Sequence, residues 1–386
     1  MTAGAGPRAV PLWTRSFALV VVATATLFVG FYFMLPVLPT RAAALGAATS
    51  RVGFVITVYS LASMVTRVLS GPRMERHGAR PFALAGLALF AATAVACALA
   101  ASYPGLLTAR IVQGIGWGWA TTALGALVAE LAPVARRGEA IGYWGLAPTL
   151  AMAVGPLGGD LLERGAGPAG VFLGTAALAL LALFVVLPVR ESRAAPGGGV
   201  AGRRLPRPMV LPALVLYLSS LSYGALVAYV PVELASRGAG AGTFFTVFAI
   251  AVLLTRPLAG RFSDVRGRGA IILPGLLLGA AGTLVLGFAR TPLGVGTAAL
   301  LYGFGIGGAS FPGLLAWSVD RCEGCDRSTA VAWFFTSYDL AIASGAALLG
   351  PLYARFGFAG LNVGATAGIV LSLALFVAGV AKHRAR

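Results

Sequence analysis

The chain has 386 residues, 58% of them hydrophobic and only 11% charged. Soluble domains carry roughly 25% charged residues, so this balance, with a mean hydropathy of +0.88, excludes an ordinary soluble domain and puts most of the chain in lipid. A formal charge of +17 would suggest nucleic acid as a partner of a soluble protein; here the arginines flank apolar runs and orient them, so no nucleic-acid partner is expected.

Arg8 and Arg15 precede the first apolar run, residues 16–38. That run is longer than the 7–15-residue core of a signal peptide and is read as an uncleaved span. Further runs of about 20 residues, each enough to cross a ~30 Å hydrocarbon core, follow at 52–72, 81–102, 105–131, 139–163 and 169–189. Residues 190–208 are polar, with Arg193, a Pro-Gly-Gly-Gly stretch, Arg203, Arg204 and Arg207, and read as a flexible cytoplasmic linker. Six more runs lie at 209–232, 241–262, 269–289, 293–318, 328–353 and 358–381. The expected organisation is therefore an all-α integral membrane protein of twelve spans, with six in residues 1–189 and six in 209–386.

Twenty of the 29 basic residues fall on the side of the termini and the linker, six on the other side, and Arg67, Arg110 and Arg256 within spans. Short Arg-rich loops stay cytoplasmic, so both termini are expected inside a bacterial cell membrane. Cys97 lies in an apolar run and reads as a packed thiol, while Cys322 and Cys325 make half a zinc site at most. His77 and His383 are far away in sequence, so no metal and no cofactor are predicted.

The chain also repeats itself. Thr66, Arg67, Leu69, Gly71 and Glu75 match Thr255, Arg256, Leu258, Gly260 and Asp264, all 189 positions on. Gly114, Gly116 and Gly118 match Gly303, Gly305 and Gly307 at the same offset. Small residues one turn apart let helix backbones approach closely in lipid. Duplicated halves are a common design in membrane transporters.

The loop from Gly71 through Glu75, Arg76, Gly78 and Arg80 resembles the loop 2–3 signature of the major facilitator superfamily, with Ala79 at the first closing basic position. Its echo keeps Gly260, Asp264, Gly267 and Arg268 but has Val265 where Arg is usual. Arg110, Gln113 and Gly114 resemble the fourth-helix signature, and Gly142 through Gly155, Pro156 and Gly159 resembles the fifth-helix signature of the twelve-helix drug:proton antiporter branch. There Ala151 replaces a middle glycine and Asp160 stands where a final glycine is common. The resemblance implies two pseudo-symmetric six-helix bundles working by alternating access, as a monomer, without enzymatic activity. It implies that the loop acids and arginines (Gly71, Glu75, Arg76, Gly78, Arg80; Gly260, Asp264, Arg268) latch the halves on the cytoplasmic side. It also implies that the bent fifth helix, with Pro148, Gly155, Pro156 and Gly159, seals the cavity in exporters.

An ionisable group at membrane depth is a functional candidate because burying it is costly. Asp339 lies about 11 residues into the eleventh run, roughly 16 Å at 1.5 Å per residue, and is the candidate proton carrier. Arg110 resembles the family arginine linked to proton coupling. Arg67 and Arg256 are expected near inner helix ends, where they can snorkel. Asp160 is expected at the solvated outer interface. Tyr32, Tyr59, Trp117, Trp144, Tyr223, Tyr302, Trp333 and Tyr338 are candidate cavity aromatics, suited to an amphipathic or cationic substrate. The function expected is proton-coupled efflux of a small organic molecule: a drug, a natural product or a metal-chelating metabolite. The alternative is proton-coupled uptake of a sugar or organic acid; a scarcity of buried arginines beyond Arg110 mildly disfavours the acid. A membrane enzyme is disfavoured too, since the chain has no HExxH and no carboxylate pair on one helix.

Overall fold

The computed structural model describes residues 12–133, 136–190, 206–238, 241–321 and 327–384, and its secondary structure there is helical throughout. In hydrocarbon every backbone donor and acceptor must be satisfied within the segment, which only a helix or a closed barrel allows. The elements are α1 (Arg15–Met34), α2 (Val37–Ala44), α3 (Phe54–His77), α4 (Arg80–Leu99), α5 (Tyr103–Leu131), α6 (Arg137–Val186), α7 (Arg207–Ser236), α8 (Gly242–Arg266), α9 (Gly269–Phe288), α10 (Pro292–Tyr302), α11 (Phe311–Asp320) and α12 (Arg327–Arg384). A π-helical stretch, Gly303–Ser310, joins α10 to α11. The starts of α1, α5 and α10 are capped by Thr14, Ser102 and Thr291, whose hydroxyls accept from backbone N–H groups that the first turn leaves unpaired.

Among the described residues, ten helices are long and apolar enough to cross a membrane. Two of the ten, Tyr143–Val186 and Trp333–Val380, are 44 and 48 residues long, about twice what one crossing needs. Each bends at a glycine in the region that essentially only glycine visits: Gly167 at φ 68°, ψ −178° and Gly357 at φ 67°, ψ −164°. The bends fall in the gaps at 163–169 and 353–358, so α6 carries spans five and six and α12 carries eleven and twelve. The remaining spans are α1, α3, α4, α5, α7, α8, α9 and the α10–α11 unit, and the crossings number twelve.

The duplication is built into the packing. Gly86 lies against the Gly116 carbonyl in the first half, and Gly305 lies against the carbonyl of Gly275, the counterpart of Gly86, in the second, both too close for a Cβ. Gly114 packs on the carbonyl of Tyr59 and Gly303 on that of Phe248, again 189 positions apart. Span five lays Gly155 on Tyr32 and Gly159 on Phe33 of span one; span eleven lays Gly345 on Leu221 of span seven. The halves themselves meet along span two against span eleven and span five against span eight.

Candidate functional site

Arginine side chains on spans two and eight bridge the halves. Arg67 on span two pairs with Asp339 on span eleven, Nη1 to Oδ2 at 3.1 Å. Arg256 on span eight donates from Nη1 to the Thr149 hydroxyl on span five at 3.0 Å. The bridges are related by the repeat: Arg256 lies 189 positions after Arg67, and Asp339 lies 190 after Thr149. Arg256 also donates from Nε to the Gly307 carbonyl at 3.2 Å, inside the π-helical stretch of span ten, and its guanidinium carbon stands 5.3 Å from the Phe311 ring. π-helical turns commonly mark functional positions.

At the end of the bundle remote from the chain termini the halves close on one another. Gly53, at the start of span two, packs on Ala346 of span eleven, and Gly242, at the start of span eight, packs on the Pro156 carbonyl and Asp160 of span five. Asp160 is 6% exposed and its Oδ2 accepts from the Gly242 N–H at 2.9 Å. A carboxylate on a helix N-terminus is stabilised by the helix dipole. Asp160 is thus a contact between halves, correcting its expected place at a solvated interface; the sequence could not show that span eight begins against it. Arg67 and Asp339 keep 32% and 25% exposure of their side chains.

Arg67 and Arg256 do not snorkel; both turn inward to a partner in the opposite half. Arg110 is fully buried in the first half. Its Nε donates to the Val55 carbonyl at 3.1 Å, its Nη1 donates to Gln113 Oε1, and its guanidinium stacks 3.9 Å above the Tyr59 ring. Phe31 stacks on the same ring at 5.7 Å.

Of the eight candidate aromatics, Tyr338 packs edge-on at 5.0 Å against Phe311, the ring that Arg256 stands over, and Tyr223 stacks on Tyr338 at 6.4 Å. Tyr32 lies under Gly155 of span five, and Tyr59 lies under the Arg110 guanidinium. The other four lie within one half. Trp117 stacks on Phe31 at 4.6 Å. Trp144 donates to the Thr24 hydroxyl at 3.0 Å. Tyr302 bonds to Ser222 at 2.7 Å. Trp333 packs with Met209 and Val319 near the termini end.

The loop signatures have a clear backbone cause. Gly78 and Gly267, at φ 87° and 85°, end α3 and α8 in a conformation reserved for glycine. Arg80 opens span three and donates to the Leu187 carbonyl at 2.7 Å; Arg268 pairs with Asp320 at 2.7 Å. Arg76 is exposed and Gly71 has open space beside it. The side chains of Glu75 and Asp264, the surroundings of Gly260, and the residues Cys322 and Cys325 lie outside the described set. Cys97 is buried, with its sulfur 3.9 Å from Gln113 Oε1. No group of metal-ligating side chains occurs among the described residues.

The profile of the Major Facilitator Superfamily matches residues 20–235 and 209–385. The inner membrane transport protein YajR of Escherichia coli is 28% identical over 236 residues, 58% of this chain and 51% of that protein. A multi-drug resistance efflux pump PmrA homolog of Lactococcus lactis is 24% identical over 375 residues, 90% of this chain and 92% of that one. The chain thus spans about half of YajR, and only 23% and 36% of two further MFS-type transporters that it resembles. Among solved structures, a D-xylose-proton symporter superposes with a TM-score of 0.75 at 19% identity, covering 93% of this chain and 96% of that one.

Proposed function

The chain belongs to the Major Facilitator Superfamily, whose members are membrane transporters and not enzymes, and we propose that it is a proton-coupled exporter of a small organic molecule. The observation that carries the reading is the Arg67–Asp339 pair between the halves. Asp339 is the proton carrier and Arg67 its counter-charge. While Asp339 is ionised, the pair ties span two to span eleven. A proton on Asp339 removes the attraction and frees the halves to rock about the layer where the bridges lie. Residues 1–189 and 209–386 are the two moving halves, and 190–208 link them on the cytoplasmic side, where both termini lie. The closed far end is then the outer face, and the state described is open toward the cytoplasm. When the protein turns outward, Glu75, Arg76, Arg80, Asp264 and Arg268 hold the inner face shut. Arg110 strengthens the positive field behind Tyr59.

Export is supported by the close seating of Gly155 and Gly159 on span one and by the efflux-pump name of one relative matched over nearly its whole length. A second reading, proton-coupled uptake of an organic acid, is favoured by Arg256, whose partners are neutral. Sealed proteoliposomes carrying a pH-sensitive dye test the proposal. A substrate panel is expected to trigger proton movement in the parent and none in Asp339→Asn. Undiminished proton flux in the mutant would remove Asp339 from the mechanism. The side to which substrate must be added decides between export and uptake.

A further inference from the structure

We infer that the molecule carried is an organic anion, with a carboxylate, sulfonate or phosphate group held by Arg256 and an apolar or aromatic body lying against Tyr32, Tyr223 and Tyr338. The inference rests on reading the layer between the halves as the transport site.

The charges of that layer come first. Among the described residues, the two bridges contribute two guanidiniums, Arg67 and Arg256, and one carboxylate, Asp339. Binding an anion brings the layer to neutrality. Binding a cation takes it to two net positive charges, in surroundings that strengthen electrostatic interactions. Arg110, stacked on the Tyr59 ring, is a further cation of the first half.

Arg256 is the place where that excess sits. A guanidinium has five N–H donors in a fixed fork suited to planar anions. Here the Gly307 carbonyl and the Thr149 hydroxyl, both neutral, accept from it. The repeat makes the missing charge conspicuous, because Thr149 occupies the place that Asp339 holds in the other bridge. A cation at membrane depth without a counter-ion is expensive to keep. An arriving anion supplies the counter-ion.

The surroundings suit the rest of such a molecule. The Tyr338 ring packs against Phe311, the ring Arg256 stands over, and its hydroxyl can donate to the oxygens of an anion. The Tyr223 and Tyr338 rings, stacked at 6.4 Å, and the Phe311 ring, 5.0 Å from Tyr338, offer faces to an apolar body. An anion within reach of Arg67 also competes with Asp339 for that guanidinium. The tie between spans two and eleven is therefore released either by a proton on Asp339 or by an anion on Arg67.

The test uses purified full-length protein in proteoliposomes and two xanthene dyes of similar size, anionic carboxyfluorescein and cationic rhodamine 6G. The parent is expected to move the anionic dye under a proton gradient. Arg256→Gln should slow that movement about tenfold or more, the scale of one charge-assisted contact, while Arg256→Lys keeps part of it. Thr149→Asp is the second arm: it gives Arg256 the carboxylate that Arg67 already has, so the variant should fold and lose transport of the anion. Movement of the cationic dye alone, quickened by Arg256→Gln, would overturn the anion inference and leave the transport-site reading standing. Anion transport unchanged by Thr149→Asp would also overturn it. If Asp339→Asn moves either dye as the parent does, the transport-site reading fails and the inference with it.

Discussion

Removing either partner of the Arg67–Asp339 pair is expected to cost more than removing both. At 3.1 Å the Coulomb attraction at an effective dielectric of 20 is about 5 kcal/mol. Desolvation offsets much of this, and with 32% and 25% of the side chains exposed water screens part of the rest. A net coupling of about 1–2 kcal/mol remains. Arg67→Gln strands a carboxylate between the halves, and Asp339→Asn strands a guanidinium. The double variant strands neither. Melting temperatures of detergent-purified parent, both single variants and the double variant measure the coupling, at about 2–4 °C per kcal/mol for a unit the size of one half. Each single variant should melt lower than the parent, and the double variant higher than the sum of the two losses predicts. The sign of the pH dependence follows from the same geometry. The pair contributes only while Asp339 is ionised, so acidification moves the parent toward the Asp339→Asn value and leaves the double variant unmoved. Losses that add within about 0.5 kcal/mol would refute the coupling and the release mechanism built on it.

Two further outcomes concern the packing around that layer. Asp160→Asn replaces a charge-assisted contact on the Gly242 N–H with a neutral one, a loss of about 1 kcal/mol; hydrogen–deuterium exchange at the start of span eight should quicken while exchange in span nine stays as in the parent. Gly155→Leu drives a side chain into Tyr32, an overpacking cost of about 1–3 kcal/mol, and should lower the yield of monodisperse protein, whereas Gly145→Leu, with open space beside it, should not.

Span count was legible because lipid leaves a chain few choices: a run of about 20 apolar residues must be a helix. Even the two helices that continue without a break, α6 and α12, bend at glycines where the apolar runs are interrupted. Counting along the eleventh run also singled out Asp339, which the structure places in a pair with Arg67 between the halves. The identity of its partner was not legible. Arg67 lies 272 positions before Asp339, and nothing in the sequence of either span says that two packs against eleven. The same gap hid the bond between Asp160 and Gly242. The aromatics divided for a related reason. Tyr338 packs beside the ring under Arg256, whereas Trp117 and Tyr302 turn into their own half, and a helix of mixed apolar faces does not announce which face meets which neighbour.

The duplication supplied a signal that became readable only with the packing in hand. A two-fold repeat that brings span two to span eleven must bring span eight to span five, so any residue pair across one contact has a counterpart across the other. Arg67 and Arg256 are kept at both positions; Asp339 and Thr149 are not. Two identical halves would tie the layer with two ion pairs and need two protons to release it. Replacing one carboxylate by a hydroxyl leaves a single titrating tie on one side and an uncompensated guanidinium on the other. The halves keep the same scaffold of glycine crossings, Gly86–Gly116 and Gly275–Gly305, while in the proposed mechanism the chemistry between them divides, with proton binding assigned to the contact of spans two and eleven and anion binding to the contact of spans five and eight. In this reading the break in the symmetry at Thr149 and Asp339 separates the two binding tasks without altering the frame that moves.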